Sequence, residues 1–137
     1  MAKWFYVYMV FSVLQLSFNP VANAQSEETA LPKAAITDFE LEARIIIAVN
    51  QYAISKGWKE VFYKAIITSE EWSILRDFNT GSVSGRIIDA AVIAILPDNN
   101  CTFREFKIKQ GTDGKNYSKE LSRYSSTYPV ECSCEGF

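Results

Sequence analysis

The chain has 137 residues, 14 lysines and arginines against 16 carboxylates, a formal charge of −2 and no histidine. The scattered charges form no basic stripe of the kind a phosphate backbone requires, so nucleic-acid binding is excluded. Without histidine there is no Ser-His or Cys-His nucleophile pair and no imidazole zinc ligand, which narrows catalysis to carboxylate, lysine or tyrosine chemistry.

Residues 1–24 read as an export signal. Lys3 precedes an apolar run from Trp4 to Phe18, Asn19-Pro20 break it, and Ala22-Asn23-Ala24 supplies a small-x-small cleavage site before Gln25. Ser12, Gln15 and Ser17 interrupt the run, and a spanning helix needs about 20 apolar residues, so a retained anchor is disfavoured and no membrane association is expected after cleavage. No cysteine follows the site to carry a lipid. The expected location is therefore secreted or periplasmic. Processing would leave 113 residues with a charge of −3, enough for one domain.

Residues 25–36 are polar and then small, with Pro32 and no apolar period, and read as a flexible lead-in to a single domain over 37–137. Thr37-Asp38-Phe39-Glu40 has the form of a capping box. Behind it Leu41, Ile45, Ala48, Val49 and Tyr52 repeat at helical spacing, widened by Ile46 and Ala53, and Lys56-Gly57 supplies a C-terminal cation and stop. After Gly57 the period becomes two. Val61 to Ile67 reads as a strand, Thr68-Ser69-Glu70 as a turn, and Trp72, Ile74 and Arg76 as a second strand or a continuation of the first. Asn79-Thr80-Gly81 is the next turn.

The longest strand is expected from about Ser84 to Leu96, both faces turning apolar toward its end as in a central strand. Pro97 to Asn100 reverses the chain, Cys101 to Gln110 returns as a strand, and Gly111 to Gly114 turns again. Tyr117 to Ser126 reads as irregular or briefly helical, ahead of a short strand near Tyr128 to Cys132. The fold class that follows is α+β: one N-terminal amphipathic helix packed on a curved antiparallel sheet of about four to five strands. Ten or so buried Ile, Val and Phe side chains suffice to hold such a domain, so no cofactor is needed to explain folding.

Cys101, Cys132 and Cys134 would meet an oxidising compartment, which favours a disulfide. A bridge between Cys132 and Cys134 is awkward across one intervening residue, so Cys101–Cys132 is the favoured pair, with Cys134 as the alternative partner and one thiol left over. Three sulfurs without histidine make a poor metal site, and none is assigned.

The layout resembles the cystatin superfamily, and more distantly the cone-shaped nuclear-transport-factor-2-like domains. The likeness spans roughly Phe39 to Cys132. It rests on the helix segment Ala48-Val49-Asn50-Gln51-Tyr52, on Gly81-Ser82-Val83-Ser84-Gly85 before a long apolar strand, and on Cys101-Thr102-Phe103 with a cysteine near the C-terminus. In cystatins the hairpin between the second and third strands reads Gln-x-Val-x-Gly and enters the protease cleft. Val83 and Gly85 match it, while Gly81 stands in place of the Gln, Gln110 to Gly114 stands in place of the Pro-Trp hairpin, and no glycine marks the N-terminal trunk. The competing reading of Gly81 and Gly85 is conformational: a positive φ at a turn and a kink in a long strand.

Arg76 and Arg86 lie five residues either side of Gly81, so a hairpin centred there places both guanidinium groups on one patch of sheet, a cradle for a carboxylate or sulfate. The alternative is ordinary ion pairing with Asp77, Asp89, Glu70 or Glu71. Trp58 and Trp72 either anchor contacts or close the ends of the core. Glu70 and Glu71 alternate faces on a strand and do not address one atom together. The acceptor patterns at Asn100 and Asn116 carry meaning only in a glycosylating host and are left unassigned.

Three functions follow as expectations. The first is a non-catalytic, exported binding domain that presents hairpin loops to a protein partner, inhibitor-like in its specific form, with Gly81, Val83, Gly85, Arg76 and Arg86 as its contact residues. The second is a small-molecule binder or enzyme with a pocket between helix and sheet, where polar groups such as Tyr52, Tyr63 and Asp89 would converge. The third is a structural component of an envelope assembly.

Overall fold

Asp38 starts the first helix, α1 (Phe39–Lys56), because its backbone is extended while its carboxylate folds forward to accept the Leu41 N–H at 3.0 Å. The cap therefore sits one residue beyond the Thr37 that the sequence pattern favours; aspartate caps at least as well as threonine, and Asp38 is the residue whose carboxylate reaches the free N–H. Glu40 and Glu42 lie in the first turn and Lys56 in the last, each sign matched to the helix dipole. Gly57, at φ 71°, ends the helix with a Schellman closure, in which the Gly57 N–H donates to Ile54 O and the Trp58 N–H to Ala53 O. The computed structural model describes residues 30–134, so the segment expected to be an export signal lies outside the described residues. No helix among these residues is long and apolar enough to cross a membrane.

Six strands follow: β1 (Val61–Ile67), β2 (Ser73–Arg76), β3 (Val83–Ile95), β4 (Cys101–Thr112), β5 (Tyr117–Ser126) and β6 (Val130–Cys132). They form one open antiparallel sheet in only four ranks. β1 and β2 lie end to end along β3, pairing with its C-terminal and N-terminal halves respectively, and β5 and β6 do the same along β4. The break between β1 and β2 is pinned to β3, where Thr68 N–H donates to Asp89 O and Asp89 N–H to Ser69 Oγ. The count of four to five strands expected from the sequence thus matches the ranks rather than the strands.

One face of the sheet meets α1. Leu41, Ile45, Val49 and Ala53 of the helix pack on Phe62 and Ile67 of β1, Ile88, Ala90, Val92 and Ala94 of β3, and Phe106 and Ile108 of β4. Strict alternation would put Phe62 opposite in face to Ala65 and Ile67. A bulge between Phe62 and Lys64 shifts the register and brings all three to the helix side. The other face carries a second cluster of Ala91, Ile93, Cys101, Phe103 and Cys132, against which Leu31, Tyr63, Ile66 and Val130 pack. This second cluster explains why β3 is apolar on both sides near its end.

Two expectations are corrected. The part of the lead-in that is described is ordered: Leu31 joins the second cluster, Ala35 N–H donates to Ile67 O at 2.8 Å, and Ile36 bridges Ile67 and reaches the helix-side core. The segment wraps the β1 edge and covers hydrogen-bonding groups that would otherwise be exposed. Tyr117 to Ser126 is a full strand rather than irregular or helical. It is an outer strand with few buried residues, so its sequence lacks an apolar period, and pairing with β4 decides its conformation over local propensity.

A buried ion pair closes the end of the core nearest the helix C-terminus. Arg104 grips Glu60 through two nitrogens, Nε to Oε2 at 2.9 Å, with side chains 12 % and 7 % exposed, and its guanidinium lies 3.8 Å over the Trp58 ring.

Candidate binding surface at the β2–β3 hairpin

Asp77 organises the turn that joins β2 to β3. Its Oδ1 accepts the Asn79 N–H at 2.8 Å, the Thr80 N–H at 3.0 Å and the Thr80 hydroxyl at 3.2 Å, while its backbone exchanges hydrogen bonds with Ser82 and Gly81. The Thr80 and Asn79 N–H groups together hold its carboxyl below the ordinary range. Gly81 takes a φ of 68° with nothing near its missing Cβ, so its role is to supply the left-handed turn residue. On this fixed loop Phe78 is 99 % exposed. A phenyl ring so placed contributes nothing to the core, and its loop gives it little freedom to retreat.

The expected contact residues take different places around this turn. Arg76 donates to Gly81 O at 3.1 Å and braces the loop from outside. Val83 is half-buried opposite Arg76 in the β2–β3 ladder. Gly85 is buried, with register partner Gly111 across β4; a Cβ built on it would lie 2.6 Å from Gln110 O and 3.2 Å from Gly111 Cα. Close approach, rather than the strand kink expected from the sequence, accounts for this glycine: β4 backbone occupies the space a side chain would need.

Arg86 has partners different from those of Arg76. Its guanidinium carbon lies 4.2 Å from the Trp72 ring centre and 4.1 Å from that of Tyr117, and its Nε donates to Gln110 Oε1 at 2.8 Å. Gln110, only 6 % exposed, is fixed in turn by its Nε2 donating to Ser118 O at 2.7 Å. Among the described residues neither Arg76 nor Arg86 is ion-paired with any of the carboxylates considered for them, and Asp89 pairs instead with Lys107. A small cleft of about 190 Å³ beside Arg86 is lined also by Asp38, Glu40 and Arg44 from the start of α1. Arg44 itself donates to Lys119 O on β5.

The disulfide joins Cys101 to Cys134, with Cα atoms 5.3 Å apart, and so corrects the favoured Cys101–Cys132 pair to its alternative. Cys132 is the direct register partner of Cys101 in the β4–β6 ladder, so backbone spacing admits either bond. Cys132 instead lies buried in the second cluster, beside Tyr63, and the turn of the chain after β6 carries Cys134 to Cys101. Burial first, then the charge of Cys132, raises the Tyr63 hydroxyl above its ordinary range.

Tyr52, Tyr63 and Asp89 do not converge. Tyr52 meets Trp58 edge to face and lies under Arg123, Tyr63 approaches Cys101 on the far face of the sheet, and Asp89 pairs with Lys107 at 3.0 Å on the surface. The apolar core fills the space between α1 and β1, β3 and β4, while a cleft of about 300 Å³ opens between α1 and β5, lined by Arg44, Ile47, Gln51, Lys119 and Glu120 and by none of these three residues. Among the described residues no group of three or more His, Cys, Asp or Glu is placed to hold a metal ion. Phe78 escaped the sequence reading because a single aromatic in a turn carries no period; the available signal was an aromatic inside Asp-x-Asn-Thr-Gly, where a core residue has no place. No known protein family, curated protein or solved structure matches the chain at a significant level.

Proposed function

We propose that this is an exported, non-catalytic binding domain that presents the β2–β3 hairpin to a protein partner, with Phe78 as the contact anchor. The observation that carries the reading is the almost complete exposure of Phe78 on a turn pinned by three hydrogen bonds to one carboxylate oxygen. Burying such a ring in a partner's pocket contributes about 1.5–3 kcal/mol, and the rigid loop keeps the ordering cost low. The Cys101–Cys134 disulfide fits an oxidising compartment.

In its inhibitor-like form the tip and Val83 would enter the cleft of a papain-like protease, while buried Gly85 would act only by keeping β3 against β4. The test of the main reading is capture from the native extracellular compartment with wild-type and Phe78→Ser bait: a protein retained by the first and lost with the second supports it, and identical captures refute it. An inhibition assay against papain tests the narrower form, which falls if high micromolar protein leaves activity unchanged.

A further inference from the structure

We propose that the cleft between the first turn of α1 and the β2–β3–β4 end of the sheet binds a small zwitterionic carboxylate, an α-amino acid by chemical class. The reading stands apart from the hairpin proposal, since it uses none of the turn residues 77–82.

Arg86 is the reason. The rings of Trp72 and Tyr117 and the Nε bond to Gln110 fix its guanidinium, and Gln110 is buried and itself fixed by Ser118. Its two terminal nitrogens donate no hydrogen bond to a described residue, and no carboxylate lies within ion-pair distance. A planar fork held in place before a ligand arrives loses little rotamer entropy on accepting a carboxylate in two parallel hydrogen bonds. Surface arginines that merely solubilise a protein are not immobilised in this way.

The rest of the cleft defines what carries the carboxylate. Arg44 adds a second cation, but Asp38 and Glu40 stand in the same wall. One oxygen of Asp38 is engaged by the Leu41 N–H, and Glu40 belongs to no ion pair among the described residues. Two carboxylates repel an inorganic anion such as phosphate, whereas a ligand with an ammonium group next to its carboxylate meets both signs of the wall at once. The cleft of about 190 Å³ admits a small amino acid.

The experiment is calorimetric titration of the purified protein with glycine, serine and glutamate, with acetate and inorganic phosphate as single-charge controls, and with Trp72 fluorescence as a second readout. Saturable binding of at least one amino acid is expected, weakened about tenfold or more in Arg86→Gln by loss of the bidentate bond. Glu40→Gln is expected to weaken the amino acid and to leave acetate unchanged or improved. Arg44→Gln, at a half-buried helix position, provides the charge test should Arg86→Gln fail to fold. The proposal is overturned by no saturable signal from any of the amino acids at about 10 mM. Wild-type affinity in both arginine variants, or tighter binding of acetate or phosphate than of every amino acid, overturns it equally.

Discussion

Replacing Gly85 by alanine separates a contact role from a packing role. The added Cβ would sit 2.6 Å from the Gln110 carbonyl oxygen, 0.8 Å inside the 3.4 Å at which ordinary contact begins, and the obstacle is backbone in the longest ladder of the sheet. No rotamer relieves it, so β3 and β4 must part locally. Overpacking costs about 1–3 kcal/mol and, against backbone that cannot rotate away, falls in the upper part of that range, about 2–3 kcal/mol; the stiffer unfolded chain offsets about 0.4–1 kcal/mol, which leaves a net loss of about 1–2.5 kcal/mol. For a domain of this size that lowers the melting temperature by roughly 5–15 °C. Gly111, its partner across the ladder, has open space at its missing Cβ, so Gly111→Ala is expected within about 0.5 kcal/mol of wild type. Thermal unfolding followed by circular dichroism reads both. Equal effects of the two substitutions, or a Gly85→Ala protein as stable as wild type, would refute the close-approach argument.

Glu60→Ala leaves the Arg104 guanidinium buried without its counter-ion and is expected to cost about 3 kcal/mol in denaturant unfolding, most of it recovered in the double variant Glu60→Leu with Arg104→Met. Peptide mapping of the oxidised protein should recover Cys101 linked to Cys134 and alkylate Cys132 only after unfolding; with a sequence separation of 33 between the bonded cysteines, Cys134→Ser is expected to lose about 3–4 kcal/mol by chain entropy. The hairpin turn should loosen in acid. Because the Asp77 pKa is lowered by the fold, its contribution is complete above the ordinary carboxylate range near pH 4 and is lost as pH falls through the lower folded value. The Asn79 and Thr80 amide resonances should therefore titrate together below pH 4, and should cease to do so in Asp77→Asn.

The sequence disclosed what repeats and hid what depends on distant partners. Helical spacing from Leu41 to Val49 and the long apolar alternation of β3 are local consequences of burial on one side and on both, and each element lies within two residues of its expected bounds. β5 was hidden because an outer strand with no fully buried residue needs no apolar period, and its conformation is decided by pairing with β4, whose residues lie elsewhere in the chain. The bulge at Tyr63 and the wrapped lead-in are likewise tertiary: Phe62 and Ile36 show their roles only once the helix stands over the sheet. Around the hairpin, Gly81 was legible because turn chemistry is local. The surroundings of Arg86 were not legible because linear symmetry about the turn says nothing of Trp72, Tyr117 and Gln110, which come from three strands or their flanks.

The hairpin reading is tested most directly by placing a photoreactive benzophenone side chain at position 78 and, in a separate protein, at position 98 in the β3–β4 turn at the opposite end of the sheet, then irradiating each in the native extracellular compartment. The account predicts a discrete protein adduct from position 78 and none of the same mass from position 98. An adduct from position 98 alone, or from neither site, would contradict it.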